Sequence, residues 1–94
     1  GGLDNMVRQL AVEWAPYQIT TNAIAPSYFK TEMTTDPATG EIPVEMLDRM
    51  KQFSPTGRIG EAGEISSSIL FLASRSSSYI NGAIIPVDGG WSAW

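Results

Sequence analysis

Cysteine and histidine are both missing from the sequence, and these two absences exclude much of the usual catalytic repertoire. Without thiols there is no disulfide framework and no thiolate nucleophile. Without imidazole there is no His-based acid/base relay and no Ser-His-Asp triad, and with neither residue the usual zinc sites cannot form, so no metal is expected. Cations are scarce as well: 6 Lys and Arg stand against 10 Asp and Glu, for a formal net charge of −4, and they are scattered along the chain. Phosphate recognition needs a surplus of Lys and Arg on one face, so no nucleic-acid partner is expected. No apolar run approaches the roughly 20 residues that cross a bilayer, and the first residues show neither the basic region nor the apolar core of a signal peptide. No membrane partner and a cytoplasmic location are therefore expected. Any catalysis must draw on Tyr, Lys, Ser, Asp or Glu.

What is present is a globular composition, 43% hydrophobic and 17% charged over 94 residues, enough for one small domain. Leu3, Met6, Val7, Leu10, Ala11 and Trp14 recur on one face at helical spacing, which predicts a helix ending before Pro16. Gly1 and Gly2 are poor helix formers, and no Ser, Thr, Asp or Asn precedes the stripe as a cap, so the helix is expected to start further upstream. Ile19 to Ala25, rich in β-branched residues and stopped by Pro26, predicts a buried strand. Ser27 to Pro43 has no sustained period and predicts a long, lid-like loop. Val44 to Phe53 resumes helical spacing through Met46, Leu47, Met50 and Phe53, with Glu45 and Asp48 near the positive end of the dipole. Ser54 to Gly60 is a turn segment. Glu61 to Ser74 predicts a third helix with Ile65, Ile69, Leu72 and Ala73 inward, although Ser66, Ser67 and Ser68 weaken it by propensity. Ala83 to Val87 predicts a second strand, followed by the Asp88-Gly89-Gly90 turn.

Helix, strand, lid, helix, helix, strand is an α/β order, with helices covering a parallel sheet. Two strands cannot make such a sheet alone, because each would keep an open edge and most apolar side chains would lack partners. The 94 residues are therefore expected to be part of a larger domain.

Five blocks carry a more specific signal. Asn22-Ala23-Ile24-Ala25-Pro26-Ser27-Tyr28-Phe29-Lys30-Thr31, Arg58-Ile59-Gly60-Glu61, Phe71-Leu72-Ala73-Ser74, Tyr79-Ile80-Asn81-Gly82 and Val87-Asp88-Gly89-Gly90 stand in one order. Together they resemble the C-terminal third of the short-chain dehydrogenase/reductase family over essentially the whole chain. Gly1-Gly2-Leu3 is similar to the residues that directly follow that family's catalytic Tyr-x-x-x-Lys. None of Tyr17, Tyr28 and Tyr79 has a lysine four residues on. The resemblance thus implies a Rossmann-like, doubly wound parallel sheet of which this is the C-terminal part. The upstream half, with the catalytic residues and the Gly-rich pyrophosphate turn, would lie outside the chain. No catalytic residue is assigned, and the chain alone is expected to be inactive.

The same resemblance implies NAD or NADP as cofactor, with Pro26, Ser27, Phe29 and Thr31 at the nicotinamide end. Ser27 stands where the family usually has glycine, and a Cβ there is expected to restrict the backbone. Without the other blocks, Pro26 would merely end a strand and Thr31 merely turn a loop. Tyr28, Lys30 and Met33, beside Glu32, fall where the family places side chains over a small-molecule substrate. Lys30 reads either as a point charge for an anionic substrate group or as a solvated loop lysine. Arg58 is expected to be structural, bonding carbonyls or a neighbouring acid, and Asp88 is not expected to act as a general base. Trp91, Ala93 and Trp94 form an apolar tail expected to dock against protein. In the family the first helix here and the last helix and strand commonly form tetramer interfaces, which implies a homo-oligomer. The lid and the Val87 to Trp91 stretch resemble sugar-acid members such as gluconate 5-dehydrogenases and ketodeoxygluconate enzymes, with acyl-carrier-protein ketoreductases also open. The rival reading is a non-enzymatic acidic interaction module whose apolar stripe and tryptophan tail bind a partner.

Overall fold

The apolar stripe of the first residues folds as expected: in the computed structural model, which describes residues 1–30 and 35–93, it forms helix α1, Gly2–Trp14. Pro16 cannot continue the helix, and the chain passes into a 3-10 turn over Ala15–Tyr17. Gln18 then adopts φ 64°, and its N–H donates to the Ala15 carbonyl. Val7 and Ala11 are buried, whereas Leu3, Met6, Val12 and Trp14 remain exposed, Val12 at 78%.

Four strands are present among the described residues: β1 Ala23–Pro26, β2 Phe29–Lys30, β3 Gly60–Glu61 and β4 Ile84–Val87. β1 pairs in parallel with β4, Ala23 opposite Ile84 and Pro26 opposite Val87. β2 pairs in parallel with β3, Phe29 opposite Gly60 and Lys30 opposite Glu61. The strand expected from Ile19 thus starts later, and Ile19 is itself exposed. The cause is side-chain amides that occupy the backbone groups a ladder would use. Asn81 Oδ1 accepts the Thr21 N–H at 2.9 Å, and Asn81 Nδ2 donates to the Ala11 carbonyl at 3.0 Å, tying α1 to the strand entrance. Asn22 Nδ2 donates to the Ile80 carbonyl at 2.9 Å, while its Oδ1 accepts the Ala83 N–H at 3.0 Å. Regular pairing begins only beyond these two residues. β2 interrupts the segment expected to be loop, and its Phe29 ring is buried on Gly60. A Cβ at Gly60 would overlap that ring, so the residue there must be glycine for β2 and β3 to approach. Asp36 organises the following turn, its Oδ1 accepting the Ala38 N–H and its carbonyl accepting from Thr39 and Gly40.

Helix α2 runs over Val44–Gln52 and buries Met50, and helix α3 runs over Ala62–Ala73. In α3, Ile65 and Leu72 are half-buried, but Ile69 and Ala73, expected inward, are exposed. The three serines do not break the helix because each hydroxyl bonds its own backbone: Ser66, Ser67 and Ser68 donate to the carbonyls of Ala62, Gly63 and Glu64. Arg58 forms a bidentate pair with Glu64, at 2.7 and 3.0 Å, and Glu64 also accepts the Glu61 N–H at the start of α3. Arg58 is structural, as expected.

The described chain is open. Its radius of gyration is 16.0 Å, with extents of 49 × 27 × 23 Å, whereas a compact domain of this length has about 12 Å. Ile69, Leu70 and Phe71 of α3 are exposed, and the apolar cleft between β1 and α3, lined by Ile24, Phe71, Leu72 and Ile85, is uncovered.

The Arg58 hydrogen bond and the Glu61 amide hold the Glu64 carboxyl down at about 2, against 4.5 for the free group. A depressed folded-state pKa stabilises fully above pH 4.5, and the contribution is lost as pH falls through about 2. Solvent screens the pair, since both partners are about half exposed. Glu64→Gln is therefore expected to flatten the acid limb of stability between those pH values, measured as urea midpoints at a series of pH values. Gly60→Ala is expected to cost about 1–3 kcal/mol by overpacking against Phe29, read from the same midpoints at neutral pH.

Candidate functional site

Parallel pairing brings the carboxyl ends of β1 and β4 out side by side. The Ser27 N–H continues the pairing by donating to the Val87 carbonyl at 3.4 Å, after which Ser27–Tyr28 and Asp88–Gly90 leave the sheet together. In open α/β sheets the crevice beyond the strand carboxyl ends is where ligands bind.

Pro26 ends β1 opposite Val87 and is exposed. Ser27 is half-buried, and its backbone does not need the positive φ that would favour glycine; among the described non-glycine residues only Gln18 has one. The expected restriction from its Cβ is thus absent, because the backbone is in a region open to any residue. The Tyr28 carbonyl accepts the Gly60 N–H at 3.0 Å, and Phe29 follows, pinned on Gly60. Lys30 lies in β2 opposite Glu61. Thr31, Glu32 and Met33 fall outside the described residues.

Tyr28 and the tail meet. The Tyr28 and Trp91 rings stack with centroids 5.6 Å apart and 14° between planes, and Phe53 lies against the other partner, 6.0 Å from Trp91. The tail was expected to dock on protein, and Trp91 docks on its own chain. Phe53 and Trp91 were not singled out as partners of Tyr28, because the three rings come from distant segments and no local period links them. The nearest signal in the sequence is the glycine pair before Trp91, which permits a tight turn.

Asp88 builds that turn. Its Oδ1 accepts the Gly90 N–H at 3.0 Å, its Oδ2 the Ser92 N–H at 3.1 Å, and its carbonyl the Trp91 N–H at 3.1 Å. A hydrogen bond from the Ser92 side chain, opposed next by burial and helped by the backbone amides of Gly90, Ser92 and Trp91, holds the Asp88 carboxyl below its ordinary value. A carboxylate so held is an acceptor in place and a poor proton acceptor for chemistry. Gly89, at φ 62°, packs against the Ser54 hydroxyl, and its carbonyl accepts the Thr56 N–H at 3.2 Å. Ser54 and Thr56 share a hydrogen bond of 2.8 Å. Ser27, Tyr28 and Trp91 thus stand together beyond the strand ends, with the Asp88–Gly90 turn locked to the segment that follows α2. Among the described residues no cluster could hold a metal ion, and no helix is long and apolar enough to cross a membrane.

A family model described as enoyl-(acyl carrier protein) reductase matches residues 1–92. The galactitol 2-dehydrogenase (L-tagatose-forming) of Cereibacter sphaeroides is 44% identical over 94 residues, 100% of this chain and 36% of that protein. A short chain dehydrogenase family protein from Francisella tularensis superposes with a TM-score of 0.86 at 29% identity, over 100% of this chain and 41% of its own. A putative 2-deoxy-D-gluconate 3-dehydrogenase from Agrobacterium tumefaciens, whose crystal structure carries bound NADP, superposes with a TM-score of 0.81 at 35% identity, over 99% of this chain and 37% of its own. The chain spans about a third of the length of the curated relatives it matches. Its parallel strands, its turn after the last strand and its sequence follow one pattern from residue 1 to residue 92, and the chain belongs to the short-chain dehydrogenase/reductase family.

Proposed function

We propose that residues 1–94 are the C-terminal part of a single NAD(P)-dependent oxidoreductase domain that moves a hydride between nicotinamide and a carbonyl or secondary alcohol. The observation that carries this reading is the pair of joined carboxyl ends of β1 and β4, in a chain of this family. Pro26, Ser27 and Phe29 are assigned to the nicotinamide end of NAD or NADP, where half-buried Ser27 can turn its hydroxyl toward a carboxamide. Thr31 completes the set. When bound, the nicotinamide supplies or accepts the hydride. Proton transfer falls to a tyrosine outside this chain, because no Tyr here has a lysine four residues on.

Tyr28, Lys30 and Met33 are assigned to the substrate side. A sugar acid or polyol is the substrate class that the Cereibacter and Agrobacterium relatives support by name. A cytoplasmic homotetramer is the assembly that this reading implies, and the exposed Met6, Val12 and Trp14 of α1 supply apolar surface for it. Family membership weighs against the acidic interaction module.

The test is NAD(P)H oxidation and NAD(P)+ reduction by the full-length protein against galactitol, gluconate and their keto counterparts. Turnover with at least one pair is expected, and the 94-residue chain alone should give none. A well-folded full-length protein inert with every pair would sink the reading, as would turnover by the isolated chain. Thr31→Ala is expected to weaken cofactor binding by about 0.5–1.5 kcal/mol, the scale of one hydrogen bond. An unchanged cofactor Kd would remove Thr31 from the site.

A further inference from the structure

A three-residue 3-10 turn has few hydrogen bonds of its own to hold it. Here the Trp91–Ala93 turn is tied at several points. Asp88 accepts the amides of Gly90, Trp91 and Ser92, the Ala93 N–H donates to the Gly90 carbonyl at 2.9 Å, and Gly89 is bonded to Thr56. The indole of Trp91 is thereby delivered between Tyr28, beyond β1, and Phe53, at the end of α2. All three rings stay partly exposed, at 36% for Tyr28, 41% for Trp91 and 44% for Phe53, so the stack lies at the surface and is not buried core.

The backbone around Tyr28 is fixed at two points, the Ser27 N–H on Val87 and the Tyr28 carbonyl on Gly60. Neither bond sets the direction of the Tyr28 side chain. That direction is set by the nearly parallel contact with Trp91, which is lost when the phenol ring swings away. We propose that Trp91 is a positioning residue: the Asp88-bonded turn is a latch that aims the Tyr28 ring and steadies Tyr28. The consequence for substrate binding rests on the oxidoreductase reading; the latch itself does not. Trp91 acts through Tyr28, so it governs how well substrate is held more than the hydride step or cofactor binding.

The test uses the full-length protein with Trp91→Ala and Trp91→Phe. Hydrogen exchange is read at the Gly60 amide, which donates to the Tyr28 carbonyl, with α1 as an internal control. Trp91→Ala should speed exchange at Gly60 about 3- to 10-fold, the range expected for one aromatic pair, with α1 unchanged, and Trp91→Phe should restore protection. Unchanged exchange at Gly60 would overturn the proposal, and so would acceleration shared by α1, which would make Trp91 a general stabiliser. In turnover assays Trp91→Ala should raise KM for the carbonyl substrate by a similar factor, with kcat and cofactor Kd within about twofold and rescue by Trp91→Phe. Equal losses in kcat and cofactor affinity would also overturn it. Should the wild-type protein show no turnover at all, the oxidoreductase reading fails, and the exchange experiment still decides the latch.

Discussion

β1 and β4 lie side by side in parallel, and a parallel pair cannot be joined by a tight turn. The chain that leaves the carboxyl end of β1 must return to the amino end of β4, and it carries α2, β3 and α3 on the way. Everything between the two strands is shaped by that return. The pair also needs its register fixed, since a slip of one residue would turn every side chain to the other face. Asn22 and Asn81 supply the fixation at the amino end, where their amides bond Thr21, Ala83, Ile80 and Ala11. With the start set, the ends at Pro26 and Val87 coincide, and the two connections that form the crevice emerge together.

The second parallel pair extends this logic toward the crevice. β2 and β3 are only two residues each, too short to be stable from backbone bonding alone, and the Phe29 ring on Gly60 gives them a hydrophobic reason to meet. Immediately beyond Gly60, the Arg58 and Glu64 pair and the Glu61 amide set the start of α3. Residues 58 to 64 therefore join β3, and through it β2, to the start of α3.

Periodicity made the helices legible: the stripe from Leu3 to Trp14 and the spacing of Met46, Leu47 and Met50 became α1 and α2 within a residue or two. Strand limits were less legible. Ile19-Thr20-Thr21 is β-branched and reads as strand, but the Asn81 amide claims the Thr21 N–H and the Asn22 amide claims the Ala83 N–H, and propensity says nothing of an amide that comes from residue 81. β2 and β3 carry no period because neither is long enough to have one. Of the candidate site, the segment from Pro26 to Phe29 was visible only through a family resemblance, since the same residues taken singly describe an ordinary strand end. The contact of Trp91 with Tyr28 was not visible at all. It depends on the parallel return of the chain and on the carboxylate of Asp88, and no spacing within either segment encodes it.

The serines of α3 have one more implication. Ser66, Ser67 and Ser68 are polar in name, yet each hydroxyl proton is already directed at a carbonyl one turn back in the same helix. What they present outward is chiefly a small methylene group and a satisfied oxygen. Successive residues lie about 100° apart on a helix, so the three serines spread around α3 and no single face carries them all. At each of them water meets an acceptor oxygen and no free hydroxyl donor, so a hydropathy scale that counts the donor overstates what the side chain can give.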